Sequence, residues 1–276
     1  MEYKIGSWNL RHFSHTGTHD MRKIAEVITK EGFDVIALQE VKTREAVQYL
    51  LKKMPSYWQG FYGDARTGRG TKHGELSFAY LWNTKRLREC SKGGEPLPLD
   101  GKFQSALSRR PFYGRFTPSG LGGSFFEIRL LNIHLIHGGD DSPASMALRI
   151  EEFKQLTGEI YANISHRRYG VFMPGYTVIL GDYNLSCTVC NDIESTMMTY
   201  HADTVLHERT TLGGKDLKND YDHFGYNKER FSESLIITKS VDTLNDYMGG
   251  DRELHREKLS DHLPIKMTLN LNNRRA

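Results

Sequence analysis

The sequence predicts a layered domain of mixed strands and helices, of the α/β or α+β class. Short runs of apolar and β-branched residues, typical of buried strands, alternate along the chain with segments whose apolar residues recur at the helical period. The composition, 38% hydrophobic with 14 Tyr and 13 Phe in 276 residues, is that of a folded chain that can bury a large core. No repeat or linker-like segment divides it, so we expect one domain over residues 1–276.

The first half alternates strands and helices around one glycine-rich loop. In order, its segments are a strand over Tyr3–Leu10, a helix from Asp20 to Gly32, a strand over Asp34–Leu38, a helix over 43–54, a loop over 64–74, and strands over Glu75–Trp82 and Arg110–Phe116. Asp20 is typical of a helix N-cap, Gly32 of a helix end and Pro55 of a helix stop. The loop is basic and has no apolar residue to anchor it, so we expect it to be mobile.

The second half continues this alternation. In order, its segments are a strand over Phe125–Leu135, a helix that begins at Ser142–Pro143, a strand over Thr177–Leu180, a strand over Ser234–Thr238 and a last strand that ends at Thr268. Ser142 and Pro143 are typical N-cap and N1 residues. Gly181 is expected to break the third of these segments, because glycine weakens strand interiors.

Polar side chains that bind metals or carry protons stand at predicted strand ends or in loops: Asn9, Glu40, His134, Asp182, Asn184, Asp261 and His262. Side chains at positions i and i+2 of an extended chain point to the same side, so Asp182 and Asn184 would project together. That pair could hold a hard cation, or a phosphate and its attacking water, but an Asx turn explains it equally well. Seven such residues together favour a site.

Charge and cysteine content exclude some classes of protein. A net charge of +3 mildly favours an anionic partner. Three cysteines are too few for a disulfide scaffold, so Cys187 and Cys190 are expected to be ordinary thiols or one local disulfide. No apolar run approaches the roughly 20 residues of a membrane span. The N-terminus does not resemble a signal peptide, and we expect a cytoplasmic protein unless a leader was removed.

Five stretches, in this order, resemble motifs of the endonuclease/exonuclease/phosphatase superfamily: Ser7-Trp8-Asn9, Leu38-Gln39-Glu40-Val41, Asn132-Ile133-His134-Leu135, Gly181-Asp182-Tyr183-Asn184 and Ser260-Asp261-His262-Leu263-Pro264. The chain is most similar to the deoxyribonuclease I-like branch, from Lys4 to Leu269. This resemblance implies the α+β class: a four-layer α/β/β/α sandwich of two mainly antiparallel sheets packed face to face, with helices outside.

The resemblance also implies a divalent-metal site and two catalytic histidines. Glu40 would bind the metal with Asn9 and Asp261, and these oxygen donors suit Mg²⁺, with Mn²⁺ able to substitute. The residues that would carry the chemistry are His134 paired with Glu75, His262 paired with Asp222, and Asp182 and Asn184, which would orient the water and hold a phosphate oxygen. Two histidines, each oriented by a carboxylate, can move protons near pH 7.

Four further residues would contact substrate by the same resemblance: Arg109, Lys42, His73 and Thr211. Arg109 lies in Ser108-Arg109-Arg110-Pro111, which resembles Ser-Arg-Glu-Pro of deoxyribonuclease I. That enzyme has arginine where this chain has Lys42, and a tyrosine that stacks in the minor groove where this chain has His73. Cys187 aligns with half of a structural disulfide of that enzyme, but no cysteine stands near Tyr221 to complete it.

The sequence therefore predicts a Mg²⁺-dependent endonuclease that hydrolyses DNA phosphodiester bonds. DNA is favoured over RNA, and we expect a monomer. A phosphoinositide 5-phosphatase or a sphingomyelinase-type phosphoesterase is the alternative with the same chemistry. A catalytically inactive binding module is a third reading, which the presence of His134, Asp182 and His262 disfavours.

Overall fold

The computed structural model describes residues 1–63, 76–91, 93–99, 107–120, 126–137, 142–169, 174–198, 201–232 and 235–271. The strands within these residues are β1 (Glu2–Phe13), β2 (Val35–Val41), β3 (Trp58–Gly63), β4 (Ser77–Asn83), β5 (Leu87–Glu89), β6 (Leu97–Pro98), β7 (Phe112–Pro118), β8 (Glu127–His134), β9 (Gly175–Asp182), β10 (Asp203–Val205), β11 (Asp222–Tyr226), β12 (Leu235–Ser240) and β13 (Ile265–Asn270). The helices are α1 (Met21–Lys30), α2 (Arg44–Leu51), α3 (Pro143–Gln155), α4 (Tyr161–Ser165), α5 (Cys187–Thr196), α6 (Thr243–Met248) and α7 (Arg252–Lys258). A π-helical turn over Leu156–Ile160 joins α3 to α4.

The strands form two mixed sheets. One has six strands in the order β12-β13-β1-β2-β4-β3, and the other has seven in the order β10-β11-β9-β8-β7-β5, with β6 also paired to β7. Only the β1–β2 and β8–β9 pairs are parallel among these strands; the rest are antiparallel. A parallel pair needs a crossover, which α1 supplies in the first sheet and α3–α4 in the second.

Three apolar clusters define four layers. The first lies between the sheets and includes Tyr80, Phe112 and Phe224, all fully buried. A second packs the outer face of the first sheet against α1 and α2, and a third packs the outer face of the second sheet against α3, α4 and α5. The α+β four-layer sandwich is therefore confirmed. Successive side chains along a strand point to opposite faces of the sheet, so they enter different apolar layers.

Helix boundaries follow the capping residues. The Asp20 side chain accepts the backbone N–H groups of Arg22 and Lys23, and the Ser142 hydroxyl accepts that of Ser145. Both predicted N-caps are confirmed. Gly32 follows α1 with φ +70°, a conformation that glycine adopts without strain.

Several elements differ from the sequence-based expectation. Gly181 does not break its strand, because it stays paired with Ile133 and His223 while β9 continues to Asp182. Strands β3, β5, β6, β10 and β11 and helices α5, α6 and α7 carry no clear apolar period, and we did not predict them. Cys187 and Cys190 are both free buried thiols. The described residues contain no helix long and apolar enough to cross a membrane.

Candidate active site

The two parallel strand pairs end at the same edge of the sandwich and bring the predicted residues together. Asn9 lies where the pairing of β1 with β2 becomes irregular, four residues before β1 ends, and Glu40 is the last residue but one of β2. His134 and Asp182 end β8 and β9. Asp182 is directly opposite His134 on one side and Asp222 on the other. The site is thus shared between the two sheets, and Asp182 lies at its centre.

Unusual backbone conformations shape this edge. Gly181 has φ +146°, and a Cβ there would collide with the Ile133 carbonyl oxygen, so only glycine fits. Glu40 and Asn184 adopt φ +57° and φ +49°, which non-glycine residues rarely do. Such strain is held in place by surrounding structure and clusters at functional sites.

The Asp182 carboxylate is buried and connects both halves of the site. One oxygen accepts the Asn184 backbone N–H at 2.9 Å, which forms an Asx turn, and the other accepts Asn9 Nδ2 at 2.9 Å. The same Oδ2 lies 3.7 Å from His134 Nε2 and 3.8 Å from His262 Nε2. Burial is the main reason that the pKa of Asp182 rises to about 7; the charge of His262 lowers this pKa, and the charge of Asp222 raises it. The Asx turn is therefore present, and the carboxylate that forms it also lies against both imidazoles.

His262 is held by a buried carboxylate. Its Nδ1 lies 2.7 Å from Asp222 Oδ2, which also accepts the Thr210 hydroxyl at 2.6 Å. Burial alone would lower the pKa of His262, but the charge and hydrogen bond of Asp222, followed by the charge of Asp182, raise it well above its usual value. The two carboxylates therefore favour the protonated form of His262.

His134 has the opposite environment. Burial, together with the nearby Arg109, lowers its pKa well below the usual value, so the imidazole is neutral at pH 7. Its Nδ1 is buried and has no hydrogen-bond partner among the described residues. Glu75, the predicted partner, lies outside those residues, as does His73.

The predicted metal donors lie beside these groups. Glu40 Oε1 accepts Asn9 Nδ2 at 3.2 Å and lies 4.0 Å from His134 Nε2, and its Oε2 accepts the His12 backbone N–H at 2.9 Å. Asp261 is less buried and lies 3.4 Å from Arg11 Nε. The two partly exposed carboxylates are oxygen donors suited to a hard cation that keeps several waters. The Asn9 amide oxygen already accepts the Arg11 backbone N–H at 3.0 Å, and its Nδ2 faces the carboxylates of Glu40 and Asp182.

A tighter acidic group also exists. Asp182, Asp222 and His262 bring their ligand atoms within 4.8 Å of one another, which could hold a metal ion. However, Asp222 Oδ2 is already shared by His262 and Thr210, so this group is better described as a proton network. The carboxylate of Glu40, with 15% of its side chain exposed, is more available to a hydrated cation.

The predicted substrate residues lie at the rim of this edge. Arg109 donates to the His134 carbonyl at 3.2 Å, and burial lowers its pKa. Lys42 is half-buried, directly beyond β2, and its N–H donates to the Phe13 carbonyl. The Thr211 hydroxyl accepts the Asn219 N–H at 2.9 Å, so in this structure it is occupied by its own loop.

Sequence patterns did not indicate Thr210, adjacent to Thr211, whose hydroxyl donates to the Asp222 carboxylate at 2.6 Å. A second missed group is His255, fully buried, whose Nδ1 lies 2.6 Å from the Ser260 carbonyl and whose Nε2 lies 2.7 Å from Thr243 Oγ1. The Ser260 hydroxyl in turn donates to the Asn9 carbonyl at 2.6 Å and accepts the His262 N–H at 3.1 Å. This chain of contacts holds the loop Ser260-Asp261-His262 in place.

Three other histidines contact the fold rather than the site. His223 is fully buried between the carbonyls of Leu185 and Leu206, 2.9 Å from each. In the loop after β1, His19 Nε2 lies 2.8 Å from the Leu10 carbonyl, and His15 stacks on Tyr49.

Comparison with known proteins identifies the family. The model of the Endonuclease/Exonuclease/phosphatase family matches residues 6–189, two thirds of the chain. The chain belongs to this family. The family comprises phosphoesterases that are generally dependent on divalent metals, which agrees with the carboxylate, amide and imidazole groups gathered here. A comparison with functionally curated protein sequences gives no significant match.

Solved structures share the fold at low identity. A mannosyl-6-phosphatase from Bacteroides thetaiotaomicron is 16% identical with a TM-score of 0.66, over 98% of this chain and 100% of its own. An endonuclease/exonuclease/phosphatase family protein from the same organism is 16% identical with a TM-score of 0.65, over 99% of this chain and 96% of its own. TDP2 of D. rerio, complexed with single-strand DNA product, is 16% identical with a TM-score of 0.60, over 98% of this chain and 99% of its own. At such identity these likenesses establish the fold alone.

Proposed function

We propose that this protein is a Mg²⁺-dependent phosphodiesterase that cleaves DNA. The observation that carries the proposal is the position of Asp182 within 3.8 Å of two imidazoles with opposite pKa shifts. Hydrolysis of a phosphodiester needs one group that takes a proton from water and one that gives a proton to the leaving oxygen. A neutral His134 and a protonated His262 meet both needs at the same pH.

Each residue has a defined part in this reaction. His134 is the imidazole able to accept a proton, and His262, charged and held by Asp222, is the one able to donate. Asp182 and Asn184 orient the attacking water between them. Arg109, partly buried beside His134, supplies a positive charge that is already partly desolvated before phosphate binds.

The metal requirement follows from the oxygen donors. Glu40 with Asn9 and Asp261 would hold Mg²⁺, which when bound neutralises negative charge on the phosphate. Mn²⁺ would substitute, since its preferred ligands are the same. Metal binding is measurable without turnover, by calorimetric titration of Mn²⁺ into the wild type and the Glu40→Gln variant. Glu45→Gln, an exposed acid on α2, is the control.

Nucleic acid is favoured as substrate because Lys42 and Arg109 lie at the rim of the site. The chain also has a basic loop over 64–74 with Arg66, Arg69 and Lys72, which lies outside the described residues. TDP2 of D. rerio, which shares the fold, binds a single-strand DNA product. Binding through phosphates should weaken log-linearly with salt.

A phosphomonoesterase is the second candidate, because the fold is shared equally with a mannosyl-6-phosphatase. The deciding assay incubates the purified protein and Mg²⁺ with supercoiled plasmid, single-stranded DNA, RNA, a phosphoinositide and a sugar 6-phosphate. We expect cleavage of DNA and its loss in EDTA and in Glu40→Gln. Full activity in excess EDTA would contradict metal dependence, and hydrolysis of the sugar phosphate alone would assign the enzyme to the phosphatases.

A further inference from the structure

Helix α2 begins four residues after Glu40 and carries an exposed surface away from the catalytic groups. We define the α2 rim as His15, Lys42, Arg44, Tyr49 and Lys52. Four extended residues span at most about 14 Å, so the start of this helix is within that reach of the candidate metal ligand. The loop after β1 closes over it, because His15 Nδ1 lies 3.4 Å from the hydroxyl of Thr43, the N-cap of α2.

The rim contains an aromatic stack that the core does not need. The rings of His15 and Tyr49 are 5.3 Å apart and inclined by only 13°, and Tyr49 is 46% exposed. The apolar face of α2 is supplied instead by Ala46, Val47 and Leu50, all buried. An aromatic pair held flat at the surface is therefore available to a ligand.

Positive charge accompanies the stack. Lys52 Nζ lies 4.9 Å from the Tyr49 ring centroid, and Arg44 lies over the Phe61 ring at 5.5 Å. From residue 42 to residue 53 the chain has four cationic side chains, Lys42, Arg44, Lys52 and Lys53, and one acidic side chain, Glu45. This segment is complementary in charge to a phosphate backbone.

We propose that the α2 rim binds a single strand of nucleic acid that continues from the catalytic site, with bases stacking on the His15–Tyr49 pair. Lys42 and Lys52 contact its phosphates. The inference rests on the proposed nuclease function. Aromatic rings beside a cationic track bind single strands because every unpaired base offers a face for stacking. A duplex keeps its bases stacked on one another, so this surface favours single-stranded substrate.

The test measures binding of fluorescent single-stranded and duplex 20-mers by anisotropy in EDTA, where a metal-dependent enzyme does not cleave them. Tyr49→Ala should weaken single-strand binding about 5- to 100-fold, and Tyr49→Trp should retain it. Lys52→Ala should lower the slope of log K against log salt by about 1. Lys85→Ala is the matched control, because Lys85 is also a lysine beside a tyrosine ring, with its Nζ 4.2 Å from the Tyr57 ring centroid. Tyr57 directly precedes β3, at the end of that strand that is opposite the site.

The melting temperature of Tyr49→Ala should match that of the wild type, because Tyr49 is 46% exposed, and this shows that the fold is intact. Hydrolysis of bis(p-nitrophenyl) phosphate by the wild type, a small diester without a nucleobase, reports catalysis separately from oligonucleotide binding. Unchanged single-strand affinity in Tyr49→Ala would overturn the proposal, and so would an equal loss for duplex and single strand. Wild-type protein that binds neither oligonucleotide but hydrolyses the small diester would refute the DNA-cleaving function itself. The two failures are therefore distinguishable.

Discussion

Replacing Asp182 by Asn should inactivate the enzyme and stabilise its metal-free fold. Asp182 is 2% exposed, and its pKa rises from 3.8 to about 7 on folding. Because its folded pKa is raised, stability from this group is fully present below pH 3.8 and is lost as the pH rises through 7. At 1.36 kcal/mol per pKa unit, its ionisation costs about 4 kcal/mol at pH 8 and about 2 kcal/mol at pH 5.

Asparagine removes this cost but loses a hydrogen bond. Asp182 accepts two donors, one on each oxygen, from Asn184 N and Asn9 Nδ2. The amide has one acceptor, so one of these donors faces an NH₂ group, at a cost of about 1–3 kcal/mol. The expected net gain is about 1–3 kcal/mol at pH 8, and it falls by about 2 kcal/mol on going to pH 5.

Thermal unfolding in EDTA at pH 5, 6.5 and 8 measures this difference. We expect the variant to melt several degrees higher than wild type at pH 8 and at a similar temperature at pH 5. Asp192→Asn, an exposed acid on α5, controls for removal of one negative charge. A variant less stable than wild type at pH 8, or an advantage that does not change with pH, would refute the reasoning.

Three further outcomes are expected. Asp222→Asn removes the charge that raises the pKa of His262, so the limb of the pH–rate profile that belongs to His262 should move to lower pH. Because the two residues act as a unit, adding Asp222→Asn to His262→Ala should reduce the rate little further. Fully additive losses of rate would show that the two residues act independently. Gly181→Ala should destabilise the fold by several kcal/mol and abolish activity, since its Cβ meets a backbone carbonyl of β8; a native melting temperature would contradict this. Thr243→Val should remove the hydrogen-bond donor to His255, lower kcat and leave KM unchanged. Equal relative changes in kcat and KM would assign Thr243 a structural role only.

Much of the site could be predicted because its residues end predicted strands. Asn9, Glu40, His134 and Asp182 each follow an apolar run, and parallel strands bring their carboxyl ends to one edge. Asp222 was chosen only by resemblance, because the five residues of β11 mix acid, imidazole and aromatic side chains and show no alternation. Their strand forms through pairing with β9, which is not a local property.

Contacts between distant segments could not be predicted. Thr210 and Thr211 look equivalent in sequence, and only the fold turns the first hydroxyl toward Asp222 and the second toward Asn219. His255 lies on a helix of seven residues with a single buried position, so no period indicated it. Its role depends on a hydrogen bond to Thr243, twelve residues earlier on another helix.

The interface between the two sheets contains a buried amide pair. Gln39 donates to Asn132 at 2.7 Å, and Asn132 donates back to the carbonyls of Leu38 and Ala79 in the opposite sheet. Apolar contacts are non-directional, whereas paired amides have one alignment in which their donors and acceptors meet. Gln39 directly precedes Glu40, and Asn132 lies two residues before His134. The alignment of this amide pair therefore also sets where Glu40, from one sheet, lies relative to His134, from the other.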